Sequence, residues 1–450
     1  MPAAHPQPTH TPPADRRTLY ILIGLITGVV LGLLGYALGQ LQPTAKSSVE
    51  WAAKNLLDPF GQIFLRLLFI VIVPLVFASL AQGVAQLGNL ARLGPMAART
   101  FALFAINMII GVSLGLLIMN IFQPGQTLDA ASRDQLLSAA RETASMPTAT
   151  TNPGDSVNLN LLVEMFLPRN LLQAIVNFQL LPLILFSLLV GAATTYLPDH
   201  QKNWVETGLQ TIVDLMARIV DWAMNLAPYA VTALVASAVA QAGWSILQTL
   251  LLFVTLVILT MAFHLTVSLS LLMKLFSKRS PKALFRGIRI IMATAFSTSS
   301  SSATLPTSIH VSRNVLGVSH ATSGFVLPLG ATLNMSGTAL YEGCVVLFVA
   351  QVYDLSLGII PQIQLVLLAV LGAVAVAGVP GGSLPVMMGL LSNFGLPAEG
   401  ILLILGFDRI LDMARTTVNV SADVVTACIV DDHLGNGTPP PTDARSPASP

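Results

Sequence analysis

The chain has 450 residues, of which 54% are hydrophobic and only 10% charged, with a mean hydropathy of +0.75. Soluble domains carry about a quarter charged residues, so a soluble globular protein is excluded and an all-α integral membrane protein is expected. A net charge of +1 offers no basic surplus for a nucleic-acid partner, and the only two cysteines, Cys344 and Cys428, lie in apolar segments and imply no disulfide framework.

Residues 1–17 are polar and proline-rich and read as a disordered N-terminus. A bilayer core takes about 20 apolar residues per helix. Runs of that kind cover residues 18–41, 57–87, 99–122, 160–197, 208–239 and 247–273. The stretch 223–273 holds no Asp, Glu, Lys or Arg, and AQAGWS (240–245) divides it into two spans. Residues 125–159, rich in Ser, Thr and Pro, read as an external loop. Lys and Arg mark the cytoplasmic side. Arg16 and Arg17, the connection with Arg92 and Arg99, and the cluster KLFSKRSPKALFRGIR all fall on one side if the six runs alternate. Both termini are then expected on the cytoplasmic side, the lack of an Asn-x-Ser/Thr sequon in 125–159 fits a bacterial inner (plasma) membrane, and the tail 433–450 reads as disordered.

Beyond residue 288 the pattern changes. IRIIMATAF and TSIHVSRNV are short apolar arms around STSSSSATLP, predicting a re-entrant hairpin over about 288–313. GFVLPLGATLNMSGTALYEGCVVLFVA (324–350) reads as a spanning helix interrupted at Asn-Met-Ser-Gly-Thr. A second hairpin is expected over about 361–395 around VPGGS, and a last span over 400–430. Exposed backbone is tolerated at membrane depth only where it is buried in protein or lines a cavity. The architecture predicted is eight transmembrane helices plus two re-entrant hairpins. The hairpins enter from opposite sides, an inverted repeat of the kind that frames a secondary transporter's substrate site.

FDRILDMARTTVNVSAD (407–423) carries the strongest chemical signal. On a helix Asp408, Asp412, Arg415, Thr416, Asn419 and Asp423 fall within about 100° of arc. Each intramembrane charge is unfavourable by about 2.5–3.5 kcal/mol on insertion scales. The stripe is therefore either an interhelical salt-bridge network or a binding surface compensated by its ligand.

The ordered motifs STSSSSATLP, NMSGTALYEG, VPGGS and DRILDMARTTVNVSAD, with PLVFASLAQG near the start, resemble the dicarboxylate/amino acid:cation symporters, the glutamate transporter family, over roughly residues 18–432. The resemblance implies a lipid-embedded homotrimer working by an elevator motion. Scaffold helices would occupy 18–98 and 160–246. The third span, 99–124, would join a transport core at 247–432 that contains the sixth span, both hairpins and the last two helices. It implies coupled uptake of an acidic amino acid, glutamate or aspartate, with no enzymatic activity and no cofactor beyond co-transported sodium. Residue by residue, Ser300, Ser301 and Ser302 would bind a substrate carboxylate, Arg415 the side-chain carboxylate and Asp412 the ammonium. Thr338, Val379, Gly381, Thr416 and Asn419 would complete the pocket. Gly330, Asn334, Asn419 and Asp423 match a first sodium site. Thr332 with Ala373, Val374 and Val376 match a second.

The chain departs from the family pattern at several positions. Ser336 stands where an aspartate is usual, and Phe104, Asn107 and Met108 stand where a tyrosine, a threonine and a serine are expected. A third sodium site would lose its only carboxylate and face a thioether, a poor ligand for a hard cation, so at most two sodium ions are expected. The family's additional arginine is missing at Ser299 and at Met413, and Arg409 is the candidate replacement. Glu342 matches a glutamate implicated in proton coupling and is a candidate proton carrier. The alternatives are C4-dicarboxylate or neutral amino acid symport, proton-driven symport, a passive channel, and an intramembrane serine hydrolase using His310 or His320.

Overall fold

The computed structural model describes residues 16–87, 94–129, 167–176, 180–376, 378 and 380–434. Most of the two terminal segments, most of the 125–159 loop, Arg92 and Val379 lie outside the described residues. The described residues form helices and no strands. In chain order these are α1 (Arg16–Leu41), α2 (Pro43–Ala52), α3 (Asp58–Leu87), α4 (Gly94–Phe122), α5 (Leu171–Val176), α6 (Leu180–Thr194), α7 (Asp199–Phe263) and α8 (Leu269–Phe276). Then come α9 (Pro281–Gly287), α10 (Arg289–Thr298), α11 (Ser301–Asn314), α12 (His320–Leu333), α13 (Ser336–Val352), α14 (Ile359–Ala375), α15 (Ser383–Asn393) and α16 (Leu402–Leu434).

Bare glycine faces set the closest packing. Gly24, Gly28 and Gly32 recur every fourth residue on α1 and so share one face. A Cβ on them would stand 2.5 Å from the Pro228 carbonyl oxygen, 2.8 Å from that of Thr232 and 2.6 Å from Val239 Cβ. Thr232 also donates to the Gly24 carbonyl at 3.1 Å. Small residues let backbones approach where the hydrophobic effect gives no drive between helices in lipid. The same device joins α4 to α13, where a Cβ on Gly111 or Gly115 would come within 2.7 Å of the Ser336 carbonyl or 2.8 Å of the Leu340 carbonyl.

The 65-residue α7 is far longer than a bilayer needs, and it turns at Gly243 (φ 64°, ψ −142°) inside AQAGWS, where the sequence predicts a division. Only glycine holds that left-handed angle freely, and a Cβ there would also strike the Tyr36 ring. Among the described residues six helical segments are long and apolar enough to cross a membrane: 19–41, 55–85, 94–127, 199–240, 243–276 and 320–352. The helix at 199–240 begins nine residues before the predicted run, at the polar stretch DHQKNWVET.

Other predicted boundaries move. The fourth apolar run, expected as one span over 160–197, contains the short helices α5 and α6 of 6 and 15 residues. The polar segment after α1 forms α2. The interruption in 324–350 is confined to Asn334 and Met335, between α12 and α13. α10 and α11 are separated only by Ser299 and Ser300, and α14 and α15 by 376–382. α13 is the central helix, with every residue but Gln351 buried, and it packs against α4, α14 and α16. The 33-residue α16 passes beside α4, α7, α10, α12 and α13. Its charges set it apart from the apolar spans.

Candidate functional site

α16 turns its polar stripe inward. Asp408, Arg409, Asp412, Arg415, Thr416, Asn419 and Asp423 are all buried. Arg415 Nη2 donates to Asp412 Oδ1 at 2.6 Å, one turn along the same helix. Asp412 Oδ2 accepts from the Gly381 N–H at 3.1 Å, and Arg409 Nη1 lies 4.0 Å from the same oxygen. The Arg415 guanidinium lies 5.0 Å from the centre of the Tyr341 ring, whose hydroxyl donates to Asp408 Oδ1 at 3.2 Å. Arg415 Nη1 is buried without a hydrogen-bond partner. A guanidinium presents a planar fork suited to a carboxylate, and half of this fork is unused.

The serine run meets this stripe at its turn. Ser299 ends α10 in the left-handed region (φ 49°), and Ser300 caps α11 by accepting from the Ala303 N–H at 3.1 Å. Ser300 Oγ also donates to the Gly378 carbonyl at 2.7 Å, and the Ser302 N–H reaches that carbonyl at 3.4 Å. The two turns, from α10–α11 and α14–α15, therefore touch. Gly381, at φ 74°, is held in a conformation that a side chain would strain, and a Cβ there would come 2.9 Å from Met224 Sδ of α7. Beneath the turns lies a small cavity lined by Ser299, Ser301, Met335, Thr338, Val376, Gly378, Ser383 and the α16 residues Asp412, Arg415, Thr416 and Asn419. The hydroxyls of Ser299 and Ser383 are buried and unpartnered there.

Of the residues expected to bind substrate, Ser301, Thr338, Asp412, Arg415, Thr416 and Asn419 line this cavity and Gly381 bonds Asp412. The hydroxyl of Ser300 instead joins the two turns. Ser302 is exposed on the α11 side of the turn. Val379 lies outside the described residues. Ser299, Ser383 and Tyr341 were not singled out from sequence as site residues. Serine runs and VPGGS do not reveal which hydroxyl faces inward, and Tyr341 reads as one more apolar position of α13.

The expected cation ligands fall in two groups. Asn334 Nδ2 donates to Asp423 Oδ1 at 2.9 Å, and Asn334 Oδ1 is buried without a partner. Gly330 lies so close to Asp423 that any Cβ would strike the carboxylate. Glycine is therefore what lets this oxygen-rich corner form, and its donors suit a hard cation. Asn419 Oδ1 is engaged elsewhere, accepting from the Gly337 N–H at 2.7 Å and the Thr338 N–H at 3.3 Å. Only its backbone carbonyl is left to serve a cation. In the second group Thr332 is exposed, its hydroxyl on the Leu329 carbonyl at 3.0 Å. Ala373 and Val376 are buried and Val374 half-buried. The Gly378 end of this turn lies close to the Ala331 carbonyl, which a Cβ would meet at 3.0 Å.

The positions weighed against the family pattern for the third cation and the proton have defined surroundings. Ser336 Oγ and Asn107 Oδ1 are buried and unpartnered, while Asn107 Nδ2 donates to Thr426 Oγ1 at 3.3 Å. Phe104 and Met108 are buried beside them on α4. Glu342, inside α13, has no hydrogen-bond partner for either carboxyl oxygen and faces Gly372 of α14. An ionised carboxylate at that position would have no hydrogen-bond donor to offset its desolvation. His310, weighed as a catalytic base, is exposed and bonded to Asn314.

Comparison with known proteins shows the family. The model of the sodium:dicarboxylate symporter family matches residues 18–433. The proton/glutamate-aspartate symporter of Escherichia coli (strain K12) is 32% identical over 406 residues, covering 90% of this chain and 91% of that protein. The proton/sodium-glutamate symport protein of Geobacillus stearothermophilus is 33% identical, covering 92% and 94%. The C4-dicarboxylate transport protein of Bacillus subtilis (strain 168) is 25% identical, covering 92% of each chain.

Proposed function

Because the chain belongs to the sodium:dicarboxylate symporter family, we propose that it is a secondary active symporter for an acidic amino acid, glutamate or aspartate, driven by sodium. The observation that carries this reading is the buried Asp412–Arg415 pair beneath Gly381, with one arm of the guanidinium unpartnered. Within the cavity the two charges neutralise each other. A zwitterion with a side-chain carboxylate offers a replacement for each partner, its ammonium to Asp412 and its side-chain carboxylate to Arg415. The buried hydroxyls of Ser299 and Ser383 and the polar turn at Ser301 are then available to the α-carboxylate. Each polar group that substrate entry exposes finds a new partner, as a buried charge must.

A C4-dicarboxylate is the second reading, favoured by the similarity to a C4-dicarboxylate transport protein. Such a substrate has no ammonium, so drawing Arg415 away would leave Asp412 with Arg409 and one N–H as its neighbours. The amino acid therefore fits better.

Two sodium ions at most are proposed, one at Gly330, Asn334, Asp423 and the Asn419 carbonyl, the other at Thr332 and the carbonyls of Ala373, Val374 and Val376. A proton on Glu342 is the additional coupled species. The wider reading follows the family. The α10–α11 and α14–α15 pairs are re-entrant hairpins, the chain crosses the inner membrane eight times with both termini cytoplasmic, and three copies assemble around scaffold helices while the transport core moves as an elevator. The packing of α4 with α13, α14 and α16 supports grouping these helices in the transport core.

The test is uptake of radiolabelled aspartate, glutamate and succinate into proteoliposomes, with sodium and pH gradients imposed separately. Concentrative aspartate or glutamate uptake that collapses with the sodium gradient supports the reading. Passive flux, or uptake of succinate alone, overturns it.

A further inference from the structure

A second cluster of buried charge lies away from the cavity, where α16 ends. Arg279 sits in the linker between α8 and α9. Its Nε donates to Asp432 Oδ1 at 2.7 Å, its Nη2 to Asp431 Oδ2 at 2.9 Å, and its Nη1 to the Leu316 carbonyl. The carboxylates are engaged from other directions too. Ser277 Oγ (2.5 Å) and the Lys278 N–H (3.2 Å) donate to Asp432 Oδ2, and the Ser319 N–H donates to Asp431 Oδ1 at 3.2 Å. Asp431 is fully buried. The chain entering the α10–α11 pair, the chain leaving it and the end of α16 therefore meet at one guanidinium. Arg99 of α4 adds a fourth segment, donating to the His433 carbonyl at 3.2 Å.

We infer that Arg279 is a positioning residue. It clasps both feet of the α10–α11 pair to α16, so that this pair stays in register with the binding stripe. The helix between Arg415 and Asp431 is continuous and about 24 Å long, so a fixed foot sets the height of the serine turn against Asp412 and Arg415. A buried ionic network whose partners are all engaged contributes geometric definition even where its net contribution to stability is small.

The second pair is held differently. Its foot is joined to α4 by a neutral amide pair, Asn120 Nδ2 to Gln362 Oε1 at 2.7 Å, and Ile359, Ile360 and Ile363 around it are exposed. At its turn it is held to the first pair and to α16 by the Gly378 and Gly381 hydrogen bonds. The Gly381 bond ends on Asp412, the carboxylate that the substrate ammonium is proposed to take. One hairpin is thus pinned by charge at its base. The other has a neutral amide pair at its foot and its second arm buried among apolar neighbours.

Hydrogen exchange of the full-length protein in lipid nanodiscs tests this without any substrate. Arg279→Gln is expected to speed exchange in 297–306 and 316–320 by about tenfold or more, with 376–384 and α13 unchanged. Arg279→Lys keeps the charge but loses the fork and should restore part of the protection. Unchanged exchange in 297–306, or a rise shared equally by 376–384, overturns the inference. If Arg279→Gln does not fold, Asp432→Asn, which removes one of the two anchors, decides by the same criterion. Aspartate uptake by the wild type, measured alongside, tests the transport reading separately, since its absence would leave the exchange result standing.

Discussion

Replacing Arg415 by Thr tests the substrate assignment most sharply. The side chain is only about 3% exposed and its bond to Asp412 is 2.6 Å long. Removing it leaves Asp412 with the Gly381 N–H at 3.1 Å and Arg409 at 4.0 Å, and a bound amino acid adds the ammonium that a dicarboxylate lacks. The variant should therefore fold, and the loss should fall on the ligand. A side-chain carboxylate placed about 4 Å from a lost unit charge forgoes about 4 kcal/mol at an effective dielectric of 20. Truncating one partner of a buried charged pair loses about 2–5 kcal/mol, or roughly 30- to several-thousand-fold in affinity. A neutral amino acid such as serine never used that contact, so its affinity should change by less than about threefold, within 0.7 kcal/mol. Calorimetric titration of aspartate and serine in sodium buffer, on wild type and Arg415→Thr, reads the difference directly. Equal losses for the two ligands would refute the reasoning, because they would mean that Arg415 supports the fold of the cavity rather than the acidic side chain.

Arg409→Ala should weaken aspartate affinity several-fold by removing the second cation near Asp412, and adding Met413→Arg should recover much of it. No recovery in a variant that reaches the membrane would show that Arg409 does not stand in for the missing arginine. Reversal potentials in proteoliposomes should give at most two sodium ions per substrate. Each charge moved contributes about 2.3 kcal/mol per 100 mV, so a third ion would raise the attainable concentration ratio roughly 50-fold and be plain in the data. Glu342→Gln should abolish whatever part of uptake a pH gradient drives, while leaving the sodium-driven part. Gly115→Ala should destabilise the protein by about 1–3 kcal/mol through overpacking, because its Cβ would stand 2.8 Å from the Leu340 carbonyl. An unchanged melting temperature would show that α4 and α13 do not rely on that bare face.

Much of this protein was legible in its residues alone because the relevant physics is local. Apolar runs of bilayer length report their helices, a 3.6-residue period places Asp408, Asp412, Arg415, Asn419 and Asp423 on one face, and glycine in AQAGWS marks the break in α7. The interruptions at Ser299–Ser300, at Asn334–Met335 and at 376–382 likewise follow from short stretches that cannot continue a helix within lipid. The partners were decided elsewhere. Composition could not show that the Ser300 hydroxyl goes to Gly378 rather than to a ligand, that Tyr341 lies under Arg415 while bonding Asp408, or that Arg279 gathers Asp431, Asp432 and the Leu316 carbonyl 37–153 residues away. A helix fixes the direction of its side chains within one turn, but a buried polar atom must take its partner from whatever backbone or charge the packing brings within about 3 Å. That choice belongs to the tertiary structure.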